Sequence, residues 1–247
     1  MPKKFSHVPN FTDYMKIVFN IVNSNLNPQR ILDIPAGNGL LAMKLKESAH
    51  EVVCADINDE RKEYVYVDMS EALPFHDDEF DTVICMEGVE HVIEPAYLIS
   101  ELCRICKSNG RIIISLPNIQ NLYSRFQFMC TGTFYQFPPS LPEHVGKSEK
   151  IDLGHISSLS YVQLRYLFKH YGAKVSDISG DKYKRKFLLP FLSPFLLIGY
   201  IWLKMFNKRN LAGSPIKLPF GNESLFRFPL LFSRSLILVF EKDGQPV

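Results

Sequence analysis

Apolar residues along this chain recur in two rhythms, and their alternation gives the first picture of the fold. Within residues 11–25, Phe11, Met15, Val18, Phe19 and Val22 fall three or four apart, the spacing of a helix with one buried face. Residues 30–34 then form a short apolar run, followed by a glycine-containing turn and a helical stretch over 40–47. Further short β-rich runs occupy 51–55, 64–67, 82–86 and 111–115, and the pattern predicts a helix over 95–107. Strands separated by helices in this way imply a parallel sheet covered on both faces. The stretch 56–63 is too short for a crossover helix and is expected to be a loop or a single turn.

After Ser115 the pattern changes. Residues 116–156 hold four prolines and many aromatics, and are expected to form one helix and a long loop above the sheet. Residues 157–171 are helical again, with Ser160 as the N-cap, Leu164, Leu167 and Phe168 as the apolar stripe and Gly172 as the C-cap. Strands are predicted over 173–178 and 235–240, and the connection between them is much longer than usual.

That connection contains an uncharged run over residues 187–203. As a helix it would span about 26 Å at about 1.5 Å per residue, short of a bilayer core of roughly 30 Å. Pro190 and Pro194 interrupt it, and a single crossing would leave the final strand on the wrong side of the membrane. Lys182, Lys184, Arg185 and Lys186 precede the run, and Lys204, Lys208 and Arg209 follow it, flanks that suit anionic headgroups. Peripheral membrane contact through 182–209 and an apolar lid or dimer patch packed on protein both fit.

Composition changes this picture only at its edges. The 247 residues, 46% hydrophobic and 22% charged, suit one domain over 1–247. Its core is expected over 26–118, 154–180 and 235–247, with 119–153 and 181–234 on the substrate side. A formal charge of +2 gives no support to a nucleic-acid partner. Five cysteines fit a reduced, cytoplasmic protein, at most peripheral at the inner membrane face, and no secretion signal is expected behind the first five residues. Cys103 and Cys106 form C-x-x-C inside a predicted helix without a second pair, so packing is expected rather than a metal.

The chemistry concentrates in ILDIPAGNG (31–39), a buried strand that turns abruptly into a helix. Gly37 and Gly39 permit backbone conformations denied to side chains and let a ligand approach the main chain. Asp56 closes the next strand, where a carboxylate can accept from both hydroxyls of a ribose. Gly37, Gly39 and Ala42 also satisfy a dinucleotide pattern, which keeps a nicotinamide cofactor in view. Against it, Asp33 just ahead of the turn would repel a pyrophosphate and welcome a cationic sulfonium amino acid.

With VVCADIN (52–58), VDMSEALPFHDDEFDTVICMEGVEHV (67–92) and ELCRICKSNGRIIISLPN (101–118), the chain resembles class I S-adenosylmethionine-dependent methyltransferases. It is similar to the methyltransferase type 11 group that includes ubiquinone-biosynthesis O-methyltransferases, and the likeness resumes at GHISSLSYVQLRYLFKHYGAKV (154–175). The resemblance implies a Rossmann-like, seven-stranded, mostly parallel α/β sheet with helices on both faces and a helical, apolar insertion before the last strand. It implies S-adenosylmethionine as cofactor and methyl transfer to a small acceptor, with O-methylation of a lipophilic or glycan-linked molecule foremost. N- or C-methylation, or cofactor binding without catalysis, are the alternatives.

Residue by residue, the resemblance places Asp33, Ala36, Gly37 and Gly39 around the methionine part, with Asp33 expected to hold the loop amides. Asp56 takes the ribose, Ile57 packs on the adenine, and Asp68 and Met69 lie at its edge. Met86 and Glu87 face the methyl-transfer side, where His91, His144 and His155 also fall; His91 and His155 are the candidate bases. Position 35 is usually glycine in this family; proline there removes an N–H and one potential backbone contact.

Overall fold

In the computed structural model, which describes residues 10–24, 27–58, 61–137, 154–211 and 225–243, helices and strands alternate as far as β2. The elements are α1 (Asp13–Val22), β1 (Arg30–Asp33), α2 (Leu40–Glu47), β2 (Glu51–Asp56), β3 (Val65–Tyr66), β4 (Phe80–Met86) and α3 (Pro95–Ile105). They continue with β5 (Cys106–Pro117), α4 (Leu122–Thr131), α5 (Tyr161–His170), β6 (Ala173–Gly180), α6 (Leu189–Leu211), α7 (Phe228–Phe232) and β7 (Ser235–Lys242). The strands make one sheet in the order β3-β2-β1-β4-β5-β7-β6, in which β7 alone runs against its neighbours. This is the Rossmann-like, mostly parallel arrangement expected.

Both faces of the sheet are dry. On one, Leu32, Val83, Ile112 and Ile114 pack under Leu98 and Leu102 of α3 and Leu164 and Phe168 of α5. On the other, Ile31, Ile84 and Ile113 meet Val18 and Val22 of α1 and Leu41 and Leu45 of α2. Alternate residues of one strand therefore serve opposite layers, which is why these strands read as continuous apolar runs. Strand β1 sits between β2 and β4, so the chain leaves the middle of the sheet in both directions. Loops from neighbouring strands diverge at such a point and leave a crevice at the strands' carboxyl ends.

Several elements differ from the sequence expectation. Helix α3 stops at Ile105, and Cys106 opens β5, so the C-x-x-C pair straddles a helix–strand junction, with both thiols buried. Helix α5 begins at Tyr161 behind a capping box made by Ser160 and Gln163. Tyr171 is its C-cap, and Gly172 follows with φ +80°. Between β2 and β3 the described residues form no helix, as the short spacing implied, and β3 shrinks to two residues. The prolines of the apolar run do not break α6. Pro190 lies in its first turn, and the Pro190 carbonyl, denied an amide by Pro194, accepts from the Ser193 hydroxyl at 3.1 Å. His144 lies outside the described residues.

Candidate functional site

The glycine turn follows β1 and is held by the neighbouring strand. Gly37 and Gly39 have φ of +53° and +71°, and a Cβ on Gly39 would lie 2.3 Å from the Tyr64 hydroxyl. The Gly37 N–H donates to Asp56 Oδ2 at 2.8 Å, and the Asn58 N–H donates to Oδ1 at 2.9 Å. Asp56 therefore clamps the turn, the task expected of Asp33. A carboxylate has about four lone-pair sites, so Asp56 keeps capacity for a ribose as well.

Asp33 has a different environment. It is fully buried at the end of β1, and among the described residues neither carboxylate oxygen meets a donor. Burial first, then the charge of Asp56, pushes its pKa up to about 7. The expectation that it holds the loop amides is thus corrected, because those amides point to Asp56. What remains is a carboxylate that only an outside donor or cation can satisfy, beside a turn whose backbone is open. Gly39 is the N-cap of α2, and the Leu40 N–H behind it donates to Asn38 Oδ1 at 3.1 Å, so a neighbouring side chain serves the first helix amide. This set suits a cofactor carrying ammonium, sulfonium, carboxylate and ribose groups.

Pro35 fits without loss of the ladder. The Ile34 N–H donates to the Ile84 carbonyl and the Ala36 N–H to the Ala55 carbonyl, both at 2.9 Å, so the turn is tied on either side of the proline. The proline ring occupies space left by Gly88, where an added Cβ would stand 2.7 Å from Pro35 Cδ and 2.9 Å from Cys85 Sγ. Met69 closes the same packing, 3.5 Å from that position. Asp68 accepts from the backbone and hydroxyl of Ser70, and Ile57 is half-buried just past β2.

Across the crevice, Met86 ends β4 and Glu87 follows it. Glu87 has φ +48°, its N–H donates to the Ser115 carbonyl at 2.9 Å, and Ser115 Oγ donates to its carboxylate at 3.0 Å. Burial pushes the Glu87 carboxyl above its ordinary pKa, against the Ser115 hydrogen bond and the Arg234 charge. Tyr14 from α1 is electrostatically coupled to Glu87 and Arg234, and burial raises its phenol.

His91 and His155, 64 positions apart in sequence, come together with ring centroids 4.9 Å apart. The Glu90 carbonyl accepts from the Ile156 and Ser157 amides at 3.0 Å each, and Ser157 Oγ donates to the Val92 carbonyl at 2.6 Å. These bonds staple the loop carrying His155 to the segment carrying His91. His155 Nδ1 lies 2.9 Å from the Gln136 carbonyl, which can only accept, so Nδ1 carries a proton, and in the neutral ring Nε2 is the nitrogen with the lone pair. Glu90, His91 and His155 also place one donor atom each within 4.8 Å of the others, a set able to hold a cation although the sequence pointed to none. A separate cavity of about 470 Å³, lined by Gln29, Asp81, Lys107 and Arg111 among others, lies at the strands' amino ends, away from this chemistry.

Tyr14, Tyr64, Gly88, Ser115 and Arg234 were not singled out from the sequence. Only Ser115 carried a signal there, a polar residue directly after the apolar run 112–114.

Residues 32–114 match the family model described as a methyltransferase domain. The chain is 38% identical over 99 residues to the demethylmenaquinone methyltransferase of Clavibacter sepedonicus, covering 35% of this chain and 40% of that protein. It is 25% identical over 174 residues to the ubiquinone biosynthesis O-methyltransferase of Xylella fastidiosa strain M23, covering 65% and 67%. The chain spans only 40% of the Clavibacter protein and 53% of a similar ubiquinone biosynthesis O-methyltransferase from Aromatoleum aromaticum. Its fold is similar to that of a SAM-dependent methyltransferase from Archaeoglobus fulgidus, with TM-score 0.55 and 19% identity over 92% of this chain and 94% of that one. It is also similar to a Burkholderia thailandensis 1,6-didemethyltoxoflavin-N1-methyltransferase solved with S-adenosylhomocysteine, with TM-score 0.54 and 13% identity over 92% and 77%.

Proposed function

We propose that this chain, whose residues 32–114 match a methyltransferase domain, is an S-adenosylmethionine-dependent methyltransferase that methylates a hydroxyl of a small lipophilic acceptor in the cytoplasm. The observation that carries the cofactor side is Asp33: a buried carboxylate without a protein donor, next to a turn clamped by Asp56. Asp33 and the Gly37–Gly39 backbone would hold the methionine end, Asp56 the ribose, and Ile57, Asp68 and Met69 the adenine side. The cofactor supplies a methyl carbon already activated by its sulfonium, so the protein's work is alignment and, for a hydroxyl acceptor, removal of a proton.

Oxygen is favoured over nitrogen or carbon by the histidine pair. With Nδ1–H held by the Gln136 carbonyl, His155 Nε2 is a proton acceptor, and His91 stacks edge-on against it. Glu87 and Tyr14 would border the acceptor from the β4 side. Relatives named for quinone biosynthesis favour a lipophilic ring acceptor over a glycan-linked one. The five free cysteines suit a reducing compartment. Incubating the purified chain with S-adenosylmethionine and a panel of phenols, catechols and glycans tests the proposal. Formation of S-adenosylhomocysteine with a methyl ether as co-product is expected. Methylated carbon or nitrogen would redirect it, and tight cofactor binding without turnover on any acceptor would leave a binding protein.

A further inference from the structure

We propose that the outer face of α6 docks onto an anionic lipid bilayer, with the helix lying in the plane of the interface. The helix presents two stripes. Leu192 and Leu196 face the protein and pack on Leu122, Leu231 and Phe232, while Tyr200 meets Phe226 with ring centroids 5.7 Å apart. On the other side Phe187, Phe191, Phe195, Ile198, Trp202 and Met205 recur three or four residues apart, and each is 60–74% exposed. A helix on a water-facing surface carries polar residues on its outer stripe; here the outer stripe is as apolar as the inner one. Most of the surface of Phe187, Phe191, Phe195, Ile198 and Met205 is open to solvent.

Charge names the occupant. Residues 182–211 contain seven basic side chains and no acidic one. They cluster before the helix, at Lys182, Lys184, Arg185 and Lys186, and toward its end, at Lys204, Lys208 and Arg209. A second copy laid on this face, parallel or antiparallel, would set basic cluster against basic cluster. An anionic membrane meets the same pattern with opposite charge at both ends and hydrocarbon between them. Trp202 lies near one end of the stripe, where an amphipathic ring sits at headgroup depth.

The helix is long enough to cross a bilayer, but Leu192 and Leu196 pack on the globular body midway along the apolar run, an attachment that favours contact through the opposite side. The surface also shares a support with the acceptor side. Arg185, just ahead of the helix, holds its guanidinium 3.8 Å above the Tyr123 ring and 4.8 Å from that of Tyr135. Tyr135 adjoins Gln136, whose carbonyl orients His155. A docked α6 would therefore open the acceptor side towards molecules dissolved in the membrane.

The test uses the full chain with vesicles of phosphatidylcholine, alone or mixed with phosphatidylglycerol, and does not depend on methyl transfer. Trp202 is the only tryptophan, so its emission reports this face directly. Flotation with the mixed vesicles and a blue shift of Trp202 emission are expected. The double variant Phe191→Ser/Phe195→Ser is expected to lose flotation, and Lys184→Gln/Lys186→Gln to weaken it about thirtyfold. S-adenosylmethionine binding is expected to be unchanged in both, which separates lost docking from lost folding. The proposal is overturned if the chain stays unfloated with both vesicle types or if the variants float like the parent. It is also overturned if the chain is a dimer whose Trp202 emission is already blue without lipid.

Discussion

At the carboxyl ends of β1 and β2, the side proposed for the cofactor is made almost entirely within residues 31–58: a strand, two glycines with positive φ, and a carboxylate that accepts two nearby amides. The side proposed for the acceptor is assembled from pieces far apart in the chain. His91 follows β4, His155 follows α4, and Tyr14 and Arg234 come from near opposite ends. Main-chain carbonyls of Glu90 and Gln136 hold the histidine loop. Short-range spacing dictated by backbone geometry builds one side; tertiary packing builds the other. Substitutions on the cofactor side are therefore expected to act on stability and cofactor affinity together. Those on the acceptor side are expected to act on turnover while leaving cofactor affinity intact.

Asp56→Ala is the strongest way to break the first half of that contrast. It removes the acceptor for two amides and is expected to cost on the order of 3 kcal/mol of stability, with cofactor binding lost. Chemical denaturation and calorimetry would show this, and a variant as stable as the parent would mean that the turn holds itself. His155→Ala probes the other half: turnover is expected to fall about 100-fold, with cofactor affinity and melting temperature preserved. A loss of affinity would show that His155 belongs to the cofactor side. Gly88→Ala, with its new Cβ pressed on Pro35 and Cys85, is expected to destabilise by about 1–3 kcal/mol and to weaken the cofactor through the turn. The smallest effect is expected from Ser157→Ala, which removes the bond to the Val92 carbonyl. A loss of about 1 kcal/mol and a few-fold lower turnover are expected, read from thermal melts and steady-state rates.

The same contrast decides what the sequence could convey. Strands β1, β2, β4 and the core of β7 stand out as apolar runs because both faces of each are buried, and the glycine turn stands out because positive φ selects glycine. The early start of β5 was hidden, since Lys107, Ser108, Asn109 and Gly110 look like a turn and are in fact the strand's polar beginning. The holding of the loop amides falls to Asp56 rather than Asp33, because spacing places both carboxylates at strand ends but cannot say which one the Gly37 amide reaches. Tyr14, Tyr64 and Gly88 owe their positions to contacts made only after folding. On α6 the proline count misled, because Ser193 repairs the carbonyl that Pro194 leaves without an amide.

Asp33 offers the most direct test of the methyltransferase assignment. Its pKa is raised from 3.8 to about 7, so in the window between those values the native state keeps a proton that the unfolded chain has lost. Stability is therefore expected to fall as pH rises through that window, by up to about 4 kcal/mol, and Asp33→Asn is expected to remove the fall. A cationic ligand favours the ionised carboxylate, so binding is expected to release a proton. The decisive measurement is a calorimetric titration of S-adenosylmethionine into the parent chain and Asp33→Asn at about pH 6 and about pH 8. The parent is expected to bind about tenfold more tightly at the higher pH, and the variant weakly and equally at both. No binding of S-adenosylmethionine at either pH, or tighter binding of NADH, would contradict the account.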